Sequence, residues 1–354
     1  MNKKIKLILL NLLVYGTPIF ILSFAPYTKN LWGGFGSSFI FNFLFYGKKI
    51  FLPMGIITDF LLFYLLYILL FKKNIEIEKE RTYFILSATK KILIWIFKDK
   101  LSRDLILLKE EKTSLLFLIV KIYFTPVMLN FLINNLHSFI SLFPLFKNYL
   151  LTKPLSLSEK TMTNIVFQTI LYAILVLDTL IFSFGYLFES SGLKNKVKSV
   201  EPTVLGWMVA IICYPPINTL SGNILGWYTS DFGDFGNPNL NITMGVVSIL
   251  FFLIYVWASV ALGTKASNLT NRGIVSKGPY KFIRHPAYSA KNLSWWIMGI
   301  PFIIKFGFIA VFSLVLWSFI YYLRALTEEK HLLQDIDYVE YCKKVKYMFL
   351  PGIL

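Results

Sequence analysis

Two short polar stretches carry the residues able to do chemistry. One is RGIVSKGPYKFIRHPAYSAK at 272–291, with Arg272, Tyr280, Arg284, His285 and Tyr288; the other is LRALTEEKHL at 323–332, with Arg324, Glu328 and Glu329. Guanidinium groups, carboxylates, an imidazole and phenols suit the binding and orientation of charged groups in a sheltered pocket. Ionisable residues at a bilayer are costly and mark functional sites. No metal-ligand spacing appears, so no metal is expected. Cys213 and Cys342 suggest no disulfide framework.

The intervening sequence must bring the two stretches together. Gly278-Pro279 breaks any helix, and Pro286 keeps His285 out of helical geometry. Arg284, His285 and Tyr288 are thus expected on an irregular segment at the foot of a hairpin. Apolar runs near 288–304 and 306–323 form its arms, with Lys305 snorkelling at the tip. On the return helix Arg324 and Glu328 stand i, i+4 and share a face, and Glu329 lies about 100° around from Glu328. The hairpin returns that face to the side of Arg284 and His285.

The chain of 354 residues is 56% hydrophobic, 18% aromatic and only 16% charged, where a soluble domain carries roughly a quarter charged residues. Its net charge of +17 sits in loops between apolar runs, which favours anionic lipid and excludes a nucleic-acid partner. Further spans are expected near 7–25, 50–71, 115–135, 165–188, 202–221 and 242–264. The expected fold is an all-α polytopic transmembrane bundle of about eight spans, both termini cytoplasmic. With sides alternating, the inner segments hold 28 of the 36 Lys and Arg and the outer loops 6. The basic start at 1–6 opens a retained first helix rather than a cleaved leader, because Pro26 follows Ala25. A cytosolic segment at 72–114 is read as a surface or packed helix. The loop 222–241, without Lys or Arg, should face outward.

Residues 272–354 resemble the isoprenylcysteine carboxyl methyltransferase family and the wider group that includes phospholipid N-methyltransferases. The resemblance rests on GPY at 278–280, RHPAY at 284–288, the Arg324-x-x-x-Glu328-Glu329-x-x-Leu332 pattern, and YVEYCKKVKYMFLPG at 338–352. It implies S-adenosylmethionine as methyl donor. By position, Arg272, Gly273, Ile274, Val275 and Tyr280 would line the adenosine side. His285, Pro286 and Tyr288 would enclose the donor, Glu328 would engage its polar end, and Arg324 would hold and orient an acceptor carboxylate. Trp295 and Trp296 are candidates for the acceptor side, although tryptophans there more often anchor helices at the interface. The chain departs from the family at Ser289-Ala290-Lys291, where a small residue or glycine is usual after the tyrosine.

The implied function is carboxyl O-methylation of a lipophilic small-molecule or lipid-linked acceptor, at the cytoplasmic face of what reads as a bacterial inner (plasma) membrane. Alternatives are N-methylation of a phospholipid amine, an NADPH-dependent enzyme like the sterol reductases, or a non-catalytic membrane protein. The reductases usually follow the motif with Asn-Tyr, where this chain has Ala287-Tyr288. The division is drawn as helices over 1–264 and a methyltransferase-like region over 265–354. Asp59 and Asp178 fall inside predicted spans and suggest buried polar pairing. His331 is read as a solvated helix position and His137 as a loop residue.

Overall fold

The computed structural model describes residues 3–16, 35–37, 51–53, 80–97, 105–152, 162–190, 192–219 and 228–352, with isolated residues at 62, 65, 68 and 222. Two compact units are present. One comprises Met1–Asn130 with Tyr186–Val200, and the other Phe131–Gly185 with Glu201–Leu354.

In the first unit, α1 (Lys3–Asn11) opens the chain, and Phe35–Ser37 pairs antiparallel with Phe51–Pro53. Helix α2 (Arg81–Phe97) realises part of the expected 72–114 segment. Its Arg81 grips Glu189 with two hydrogen bonds of 2.6 and 2.5 Å, and Lys91 meets buried Glu111 at 2.8 Å. Helix α3 (Lys109–Thr152) has 44 residues, those up to Asn130 in this unit and the rest in the second. The expected span at 115–135 therefore continues well past its predicted end. His137 lies within this helix, not in a loop.

The second unit holds the elements that matter for the polar stretches. Helix α4 (Gln168–Leu187) contributes most of its length to it. Helix α5 (Val204–Ile211) has only eight residues, capped by the Thr203 hydroxyl, and gives way to turns. The expected span at 202–221 is thus not a single membrane-crossing helix: Pro215 and Pro216 lack the amide hydrogens that would extend it. Helix α6 (Pro238–Leu262) starts where the Asn237 side chain accepts from two backbone amides and Pro238 presets the first turn. The hairpin consists of α7 (Pro286–Met298), α8 (Ile300–Phe306) and α9 (Phe308–Leu332), turning at Gly307. Finally α10 (Ile336–Lys344) is capped by Asp335 and ends on Lys343 and Lys344.

Packing here is that of membrane helices, with small polar contacts between apolar surfaces. Leu171 and Ile174 of α4 meet Phe252 and Val256 of α6, and Ser248 of α6 bonds Ser294 of α7 at 2.7 Å. Trp295, Leu314, Trp317 and Ile320 form the hairpin's core, and Trp296 donates to Ser318 at 3.0 Å. Gly185 is required, since a Cβ there would lie 1.9 Å from the carbonyl oxygen of Ala266.

Four described helical stretches are long and apolar enough to cross a membrane: Lys109–Leu151, Ile165–Leu187, Pro238–Lys265 and Phe308–Leu332. Most of the expected spans at 7–25 and 50–71, and Asp59, lie outside the described residues. The fold is an all-α membrane bundle; about eight spans are not reached among the described residues.

Candidate active site

The segment 266–285 joins α6 to α7 without an α-helix, holding only a short 3-10 turn at Gly278–Lys281, and its irregularity has local causes. Gly278 has φ +60°, and a Cβ there would press on Ala261 and on the indole nitrogen of Trp257 at 3.0 and 3.2 Å. Leu269 holds φ 61°, a conformation rare outside glycine. Its carbonyl accepts from the Glu201 amide at 2.8 Å, which helps fix it. Such irregular backbone at a membrane is stable only where protein or a cavity surrounds it.

The tail closes the site from below. Arg284 and His285 amides donate to the carbonyls of Tyr347 and Met348 at 2.9 Å each, and the Ser289 hydroxyl to that of Phe349 at 2.9 Å. The Tyr341 hydroxyl reaches the Tyr280 carbonyl at 2.7 Å. Burial pushes the phenols of Tyr280, Tyr338 and Tyr341 above their usual range, so they remain protonated donors at neutral pH and do not act as bases.

The two adjacent glutamates of α9 have different partners. Glu329 accepts from Arg284 Nε at 2.6 Å and Nη2 at 3.2 Å, with His285 Nε2 also 3.2 Å away. Arg284 spends its remaining donor on the carbonyls of Val345 and Lys346. Arg284 is therefore a clamp between hairpin and tail, not a free headgroup anchor. Glu328, rotated by a residue, instead accepts from the Tyr288 hydroxyl at 2.8 Å and borders a cavity. Tyr288, expected on the irregular segment, lies instead in the first turn of α7, because Pro286 starts that helix, and its ring stacks on His285, centroids 5.3 Å apart.

That cavity encloses about 1180 Å³ including its open mouth. Arg272, Gly273, Ile274, Val275 and Tyr280 line it, together with His285, Tyr288, Glu328 and Arg324. Pro286 is buried as the first residue of α7 and does not line the cavity. Neither do Trp295 and Trp296, whose indoles bond Asp231 and Ser318. They pack the hairpin because α7 turns that face inward.

Arg324 is the most unusual group. It is 7% exposed, donates to the Asn268 side chain, and lies over the rings of Tyr288, Tyr214 and Tyr321 at 5.1, 5.6 and 5.8 Å. Among the described residues, no carboxylate lies within ion-pair distance of it. A buried cation without a counter-ion is costly. His331 departs from its expected solvated position: it is 4% exposed, with Glu201 at 3.8 Å.

Several lining residues escaped sequence reading, among them Tyr214, Asn268 and Tyr321. Tyr255 and Ser259 carried a usable signal: polar groups at i, i+4 on an otherwise apolar helix. Both donate to Asp178, at 2.7 and 2.5 Å, which is the polar pairing expected of that buried acid.

The residues present suit S-adenosylmethionine. Gly273, whose amide donates to Asn271 Oδ1 at 2.8 Å, borders the cavity, and the Glu328 carboxylate borders it too and would suit a cationic group. Bound, S-adenosylmethionine would supply an electrophilic methyl group. Residues 242–334 match the model of the isoprenylcysteine carboxyl methyltransferase (ICMT) family, which marks this region as methyltransferase-like; with the four apolar helices it points to an integral membrane protein. Among curated proteins, none matches the chain.

Proposed function

From that methyltransferase match, we propose that the chain is an S-adenosylmethionine-dependent methyltransferase that methylates the carboxylate of a lipophilic acceptor. The observation that carries this reading is Arg324, a buried guanidinium without a carboxylate partner among the described residues, sharing its cavity with Glu328. A carboxylate entering beside Arg324 would complete an ion pair that the described residues leave open. It arrives as a competent nucleophile and needs no general base. The work left to the protein is alignment and exclusion of water. Arg324 orients the acceptor, Glu328 and Tyr288 hold the donor's polar end, and the 272–275 backbone with Tyr280 cradles the adenosine.

The test is binding of the donor itself. Calorimetry should show affinity for S-adenosylmethionine and none for NADPH. Glu328→Ala should weaken that affinity by about 1–2 kcal/mol, five- to thirtyfold, as the donor's cationic end loses a charged hydrogen-bond partner. Undiminished affinity in a folded Glu328→Ala protein removes Glu328 from the donor site.

The site is placed on the cytosolic side, where the donor is made, and both termini with it. The basic residues of the segments that carry the site, 265–291 and 324–354, support this orientation. A cysteine introduced at Lys277 should resist an impermeant thiol reagent in intact cells and react after permeabilisation. Labelling in intact cells reverses the topology.

A further inference from the structure

The cavity is closed on its Lys291 side by an ion pair. Lys291 lines the cavity, and its Nζ lies 2.8 Å from Asp231 Oδ1. Asp231 does not line that cavity. It borders a second, small and mainly apolar cavity, about 350 Å³ including the open solvent at its mouth, with Leu171, Ile249, Phe252 and Met298. One ion pair and the rings around it therefore separate the two. The ammonium group sits over Phe252 at 4.6 Å and Trp295 at 5.3 Å, and the Trp295 indole donates to the same Asp231 oxygen at 3.0 Å. Asp231 reaches this depth because residues 228–233 run along the hairpin: Tyr228 packs on Phe306 and Gly233 against Met298.

We propose that the Lys291–Asp231 pair is the end wall of the acceptor chamber and sets the longest hydrocarbon tail the acceptor can carry. The inference rests on the carboxylate-acceptor reading above and adds its specificity. With the acceptor carboxylate at Arg324, a tail lying in the same cavity would meet Lys291, which also lines it. Passing further requires separating two charges in apolar surroundings, which costs more than the first few methylenes return. Both partners are also fixed: Lys291 by its place on α7, Asp231 by its second bond to Trp295. Asp231 lies outside the residues matched to the family, so the wall belongs to this chain's own loop.

The test uses full-length protein in nanodiscs, with thermal stabilisation by saturated straight-chain carboxylic acids from hexanoic to icosanoic as the readout. Stabilisation in the wild type should grow with chain length and then stop. The double variant Lys291→Ala/Asp231→Ala avoids a stranded carboxylate and should move the limit to longer acids. Its ratio of long-acid to short-acid affinity should rise at least about tenfold, the gain from about two newly buried methylenes. Lys291→Arg, which preserves the pair, should keep the wild-type limit. An identical limit in wild type and double variant, with binding still lost in Arg324→Ala, overturns the wall and leaves the carboxylate reading intact. Absence of binding for every acid, or binding indifferent to Arg324→Ala, overturns both.

Discussion

Arg324→Ala is expected to lower methyl transfer about a thousandfold while S-adenosylmethionine still binds. The guanidinium is buried over three tyrosine rings and paired with no carboxylate among the described residues, so the acceptor would supply its counter-ion. Removing it leaves a desolvated acceptor carboxylate unpaired and unaligned. Losing one partner of such a pair costs about 2–5 kcal/mol, of which a thousandfold rate loss represents about 4 kcal/mol. Arg324→Lys keeps the charge but not the planar fork that fits a carboxylate or the stacking on the rings. A fall of about tenfold to a hundredfold is expected for it. The measurement is single-turnover methyl transfer beside calorimetric donor binding. Should Arg324→Lys abolish donor binding, the residue belongs to the donor site; should turnover survive Arg324→Ala, the acceptor is an amine or uncharged.

The second large effect concerns stability. Glu329→Ala and Arg284→Ala should each destabilise the protein by about 2–4 kcal/mol, because each strands a mostly buried charge. The double variant should lose little more than either single one, since both remove the same interaction. Glu328→Ala, one residue away, should leave the thermal midpoint nearly unchanged while weakening donor binding. The contrast follows from the helix: a rotation of about 100° turns Glu329 onto the Arg284–His285 clamp and Glu328 towards Tyr288 and the cavity. Additive losses for Arg284 and Glu329 would show that the clamp is not one unit.

Much of the site could be read from one dimension because its parts are local. The proline after His285 and the Gly278-Pro279 break place the polar segment at the foot of a hairpin, and i, i+4 spacing sets Arg324 and Glu328 on one face. Short-range sterics and helical periodicity decide such features without knowledge of the rest of the chain. The apolar runs at 165–188 and 242–264 reappear as membrane-length helices for the same reason. Hydropathy misjudged 202–221, where apolar composition conceals an eight-residue helix followed by turns. It also ended the 115–135 run too soon, because polar residues such as Asn134 and Asn135 are tolerated inside the long helix.

Only the tertiary structure assigned partners. Neighbouring glutamates are chemically identical in a sequence, and which one clamps and which one faces the cavity depends on a tail some sixty residues from Arg284. Tyr214, Asn268 and Asp178 approach the cavity region from separate stretches that no motif links to it. Asp231 meets Lys291 across sixty positions. The residue types and their helical faces were determined by the sequence itself, through local conformation. The pairing of charges was decided by packing, because burial makes each polar group find a partner and only the folded chain determines which is within reach.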